Sequence, residues 1–197
     1  DQANFIDSNR ELELFLLNTA GNTLDDYEKN YIKEEIKKNH DFVEEEATIM
    51  AVPVYNPGKW NNNSHIRRNN NCYNYANDKI TNTFAQPGRG TGITGPYPPT
   101  CSGTGSAASR DGLISVSSAS STPTRGHFAA LVIWPGRDYH WYRLDSNGLW
   151  SHKPGSTPAK NKDHAGSLIH DPIYCNRGPY RIWCGYYHSI QNRTKIR

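Results

Sequence analysis

Gly126-His127-Phe128-Ala129-Ala130-Leu131-Val132-Ile133-Trp134 is the stretch on which the reading of the fold turns. After His127 the apolar run is unbroken and strand-sized, so His127–Trp134 reads as one strand. Pro135-Gly136-Arg137 supplies a turn, and Tyr139–Leu144 returns as a second strand. Asp145-Ser146-Asn147-Gly148 is another turn, followed by a third strand over Leu149–His152, and Tyr180–His188 reads as a last strand. A hairpin centred near Gly136 sets His127 roughly opposite Leu144–Ser146.

Upstream, Asn69-Asn70-Asn71 runs into Cys72-Tyr73-Asn74-Tyr75-Ala76. Asn caps helices and tolerates left-handed backbone angles, so the spacing predicts a sharp turn delivering Cys72 to the start of a helix over Tyr73–Thr83. Ala51–Tyr55 is a short strand candidate closed by Asn56-Pro57-Gly58. Gln86–Thr124, rich in Gly, Pro, Ser and Thr, reads as a long loop with a short helix or strand around Ala107–Val116. A Cys-bearing helix followed by a His-bearing antiparallel sheet is an α+β layout.

Residues 1–48 read differently. Leu12, Leu14, Phe15 and Leu16, then Leu24, Tyr27, Tyr31 and Ile32, recur near helical spacing around a Gly21-Asn22 break. This segment holds 13 acidic and 5 basic residues, net −8, whereas the other 149 residues hold 6 acids and 17 bases, net +11. The expected organisation is an acidic helical segment, 1–48, before a basic domain, 49–197. The segment is either a subdomain packed on that domain or an acidic lid or pro-region.

The composition limits the function classes. Only 35% of the 197 residues are hydrophobic, and 12 Tyr and 5 Trp supply much of the apolar area. No apolar run approaches the ~20 residues that span a bilayer. A start at Asp1 reads as that of a processed chain, and four cysteines, Cys72, Cys101, Cys175 and Cys184, fit an exported protein. No cofactor is called for. Aromatic and cationic residues interleave in Trp141-Tyr142-Arg143, Trp150-Ser151-His152-Lys153 and Tyr180-Arg181-Ile182-Trp183, without a nucleic-acid-binding fingerprint.

A cysteine opening a helix and a histidine opening a strand are the parts of a thiolate–imidazolium pair. Asn71-Cys72-Tyr73-Asn74-Tyr75-Ala76 resembles the cysteine motif of CHAP domains, and Gly126-His127-Phe128-Ala129 resembles their Gly-His-Val-Ala strand. Their order is shared with NlpC-type and other papain-like enzymes. The resemblance implies a papain-like fold and amide hydrolysis in a peptide, protein or peptidoglycan substrate. Cys72 would be the nucleophile and His127 the base. Asp145, or in the NlpC-type pattern His140, would orient His127. Papain has a Gln about six residues before its Cys, but this chain has Ile66, so the Cys72 backbone with Asn70, Asn71 or Tyr55 would hold the oxyanion.

Asn71, Trp141 and Trp150 are the candidate substrate contacts. Cys175 and Cys184 flank a Gly178-Pro179 turn and read as the natural disulfide, while Cys72 is either a free nucleophile or bridged to Cys101. The alternative to an enzyme is a secreted binding module with a basic aromatic face for anionic glycans or cell surfaces.

Overall fold

The computed structural model describes residues 52–95, 99–120 and 123–197, together with Asn30, Glu34, Lys37 and Lys38. The chain divides into two units, Asp1–Ile49 and Met50–Arg197. In the first, the four described residues are helical and exposed; the helices expected over 7–48 otherwise lie outside the described residues.

The second unit is α+β. Its helices are α1 (Pro57–Asn61), α2 (Ser64–Asn69), α3 (Cys72–Ala76) and α4 (Cys101–Arg110), and its strands are β1 (Ile114–Val116), β2 (His127–Trp134), β3 (Asp138–Leu144), β4 (Trp150–Ser151) and β5 (Ile182–Ser189). The strands form one antiparallel sheet in the order β1-β5-β2-β3-β4. The expected strand over Ala51–Tyr55 does not form among its described residues.

The unbroken apolar run puts β2 at the centre, buried from His127 to Ile133. Ala129, Leu131 and Ile133 pack with Cys72, Tyr73, Ala76 and Ala108 of the helices and with Trp141 and Tyr187. Phe128, Ala130 and Val132 face the other way, into a second core with Tyr142, Trp150 and Ile169. Two apolar layers on one strand explain why its sequence does not alternate.

α4 lies close against the sheet because it is built of small residues. A Cβ at Gly105 would meet the Tyr187 hydroxyl, and Ala107 and Ala108 are buried. Between β2 and β5 the register passes from Leu131↔Gly185 to Val132↔Trp183, leaving Cys184 as the extra residue of a β-bulge. That bulge sets Cys184 on the α4 side, where it is bonded to Cys101 across a Cα–Cα distance of 5.2 Å.

This corrects the expected Cys175–Cys184 bridge. Cys175 packs in the second core, on the opposite face of the sheet from Cys184, and is a free thiol. Cys72 is also free, so it is not bridged to Cys101 either.

Candidate functional site

Asn71 starts α3 by a reciprocal cap. Its side chain accepts from the N–H groups of Tyr73 and Asn74 at 3.1 Å, while the Asn74 side chain accepts from the Asn71 N–H at 3.1 Å. The Asn71 amide also donates to the Ala85 carbonyl at 2.6 Å. Asn71 is thus buried and fully engaged in local structure, not offered to a substrate.

The cap brings Cys72 into apolar surroundings. Burial pushes its thiol up to about 12, against the backbone of Trp141 beside it. His127 donates instead to the Ala76 carbonyl, Nε2 to O 2.6 Å, at the far end of the same helix. Burial, with the charge of Arg143, pushes its imidazole down to about 3. Trp141 pairs with Leu131, four residues along β2 from His127, a span of about 13 Å. The two groups have separate partners, a neutral thiol at the start of α3 and a neutral imidazole bonded at its end.

Asp145 has other partners. Its Oδ1 accepts from Arg143 Nε at 2.7 Å and its Oδ2 from Ser151 Oγ at 2.5 Å. Arg143 also donates to the Tyr75 hydroxyl at 3.0 Å, and that hydroxyl lies 2.7 Å from Ser151 Oγ. The result is a closed buried ring, Arg143–Tyr75–Ser151–Asp145, with the guanidinium 3.8 Å from the Tyr75 ring centroid. Burial raises the Asp145 pKa, with Arg143 opposing it.

His140 lies on the opposite face of β3 from Trp141 and so is turned away from Cys72. Its Nε2 is 2.7 Å from Nδ1 of His152, whose Nε2 donates to the Lys162 carbonyl at 2.7 Å. Because that carbonyl only accepts, His152 Nδ1 is the acceptor and His140 the donor. Burial holds both imidazoles neutral, His152 down to about 4 and His140 well below its ordinary value.

The two tryptophans are core residues as well. Trp141 is fully buried, stacked on Tyr73 at 5.6 Å, and Trp150 packs on Tyr186 at 5.8 Å. Both had been candidate substrate contacts.

The structure does bring three of the candidates, His127, Asp145 and Trp150, to one cleft. Ala129 pairs with Arg143, so two residues further on His127 comes opposite Asp145. Both line a cleft of about 470 Å³ together with Phe128, Trp150, Asp171 and Tyr186.

The surface electrostatics follow from how the six carboxylates of 52–197 are used. Asp78 and Asp145 pair with Arg143, with Lys59 also 3.9 Å from Asp78. Asp111 accepts from the Tyr73 hydroxyl and the Gly88 N–H, and Asp138 from the Tyr180 hydroxyl. Asp163 takes backbone N–H groups of Ala165, Ser167 and Asn176, and Asp171 takes the Tyr186 hydroxyl. Every carboxylate is tied into the fold, while among the described residues only Arg143 and Lys59 of the 17 cations have an acidic partner.

Where β2 ends and β5 begins, this excess meets exposed aromatic surface. Trp134 is exposed, with Tyr180 edge-on at 5.8 Å and the Arg137 guanidinium 6.0 Å from its ring. Arg181 and Ile182 are exposed beside them. Tyr180, Arg181 and Trp183 were visible in the sequence as an aromatic–cation strip. Trp134 and Arg137 were not, because they read only as a strand end and its turn; the antiparallel return of β5 unites them.

Insoluble matrix shell protein 1 of Ruditapes philippinarum is 48% identical over 144 residues, spanning 72% of this chain and 93% of that protein. The chain belongs to the insoluble matrix shell protein 1 family. No family model matches the sequence, and no solved structure matches the fold. Membership overturns the CHAP-like peptidase assignment, and with it the hydrolase activity and the peptide or peptidoglycan substrate. The relative is a matrix protein, and the motifs that resembled a catalytic pair are here a helix cap and a strand end. Like its shell-matrix relative, this family member is secreted, and it carries a disulfide. Among the described residues no helix is long and apolar enough to cross a membrane.

Proposed function

We propose that the chain is a non-enzymatic structural component of an extracellular matrix, held to acidic matrix polymers by the cationic aromatic face at Trp134, Arg137, Tyr180 and Arg181. The observation that carries this is the use of the carboxylates: all six in 52–197 are engaged within the fold, leaving every surface cation of that stretch but Lys59 without an acidic partner among the described residues. Such a field attracts polyanions, and exposed rings beside guanidinium groups add apolar contact with sugar faces. The helix-on-sheet layering, which is the coarse part of the expected papain-like architecture, supports a scaffolding role. Kinship with a matrix protein of shell supports the setting.

The test is co-sedimentation of the full chain with an immobilised sulfated or uronate polysaccharide, with uncharged dextran as control. Retention on the acidic polymers falls by roughly tenfold or more between 50 and 500 mM salt. The double variant Arg137→Ser/Arg181→Ser weakens retention while the folded fraction is unchanged, since neither side chain is buried. Equal retention on dextran, or salt-insensitive retention, overturns the reading.

A further inference from the structure

We infer that the cleft shared by His127 and Asp145 is a binding site for an uncharged saccharide. It lies apart from the cationic face and has the opposite character. At about 470 Å³ it falls within the size range of small-ligand sites.

Three of its polar side chains, His127, Asp145 and Asp171, offer acceptors, beside Ser118, Ser120, Ser146 and His170. The His127 Nε2–H is fixed on the Ala76 carbonyl, which leaves Nδ1 as a bare lone pair with no protein partner among the described residues. The ring is 2% exposed and lines the cleft. Asp145 and Asp171 each use their oxygens once or twice on protein donors and keep further lone pairs. A ligand meeting this set must bring several O–H or N–H donors.

The field excludes an anion. No lysine or arginine lines the cleft, although the surrounding domain carries 17. Of its two carboxylates, Asp145 is already paired with Arg143, and Asp171 is held by the Tyr186 hydroxyl and the Ile173 N–H. Phe128, Trp150 and Tyr186 supply apolar floor. Hydroxyl donors around a flat C–H face, with no net charge, describe a pyranose ring.

The experiment is isothermal titration of the full chain with tetramers of an uncharged hexose, an uncharged N-acetylhexosamine, a glucosamine and a uronate. An uncharged tetramer binds, and its affinity changes less than twofold between 50 and 500 mM salt. Ser146→Trp, placed on an exposed turn at the cleft mouth, weakens it at least tenfold, and Asp171→Asn weakens it independently. Arg137→Ser/Arg181→Ser leaves it unchanged, so failure at this cleft is distinguishable from failure of the cationic face. The inference is overturned if no uncharged tetramer binds, if Ser146→Trp has no effect, or if the uronate or glucosamine binds more tightly at the same cleft.

Discussion

The imidazole of His127 donates to the carbonyl of Ala76 at 2.6 Å, and that one bond decides what the Cys–His motif of this chain is for. It ties the last turn of α3 to the first residue of β2, while burial keeps the ring neutral. The histidine locks helix to sheet.

A pH dependence of stability follows. His127 and His152 have folded pKa values pushed down to about 3 and about 4, below the ordinary 6.5. The unfolded chain therefore binds protons below pH 6.5 that the folded chain refuses. Stability is full above that pH and is lost as pH falls toward 4, at about 1.4 kcal/mol per pH unit for each histidine. Guanidinium unfolding at pH 7.5, 5.5 and 4.5 should show a falling midpoint, with His127→Gln giving a shallower dependence. A midpoint rising toward acid pH contradicts the buried neutral assignment.

Cys72 should be inert in the folded protein. Its thiol is buried and pushed up to about 12, so the thiolate is scarce at neutral pH and shielded where it exists. Iodoacetamide at pH 6 to 8, followed by peptide mapping, should leave Cys72 unmodified until denaturant is added. Rapid native labelling at pH 6 would restore the reading as a nucleophile.

The parts of the fold legible in the sequence were those fixed by local chemistry. The apolar run 127–134 with the Pro135-Gly136 turn specified the central hairpin, down to His127 facing Asp145. Asn71 announced the start of α3. Its end was not legible: the helix expected to reach Thr83 stops at Ala76, and Asp78, Asn82 and Phe84 take left-handed backbone angles. That early stop leaves the Ala76 carbonyl free to meet His127. The disulfide was hidden for a similar reason, since a single bulge residue decides which face Cys184 takes. The site failed at the step from motif to space: order along the chain gave Cys, His and Asp, while in the fold Cys72 lies against the Trp141 backbone, His127 bonds the Ala76 carbonyl and Asp145 pairs with Arg143.

Asp145 has a structural role that a substitution can isolate. Asp145→Asn removes the charge facing the buried Arg143 guanidinium, leaving only Asp78 at 3.3 Å. Removing one member of a buried pair should cost about 3 kcal/mol. Asp138→Asn, at an exposed position, should stay within about 0.5 kcal/mol. Comparable losses for the two would mean that the buried ring is not a unit.

The disulfide closes a long loop, with Cys101 and Cys184 separated by 83 positions in sequence. Constraint of the unfolded chain on that scale is worth about 4 kcal/mol. Non-reducing peptide mapping should recover Cys101 linked to Cys184, and the double change Cys101→Ala/Cys184→Ala should lower stability by about that amount. Cys175→Ser should leave the linkage intact. Recovery of a Cys175–Cys184 peptide would refute the pairing.

Gly126, immediately before His127, tests how tightly β2 is seated on β5. Its φ is +62°, and a Cβ there would collide with the Ser189 carbonyl, one residue from the His127↔Ser189 pair that begins the ladder. Gly136, in the hairpin turn, has φ +71° but open space around it. Gly136→Ala should therefore cost only the left-handed backbone penalty, about 1 kcal/mol. Gly126→Ala carries that penalty plus a backbone collision that can be relieved only by moving β5 away, so it should cost about 3 kcal/mol or more. Because His127 would shift with the strand and gain access to water, the variant should also lose part of the acid sensitivity that burial of the imidazole confers. Equal costs at the two glycines would show that the β2–β5 edge yields at Ser189.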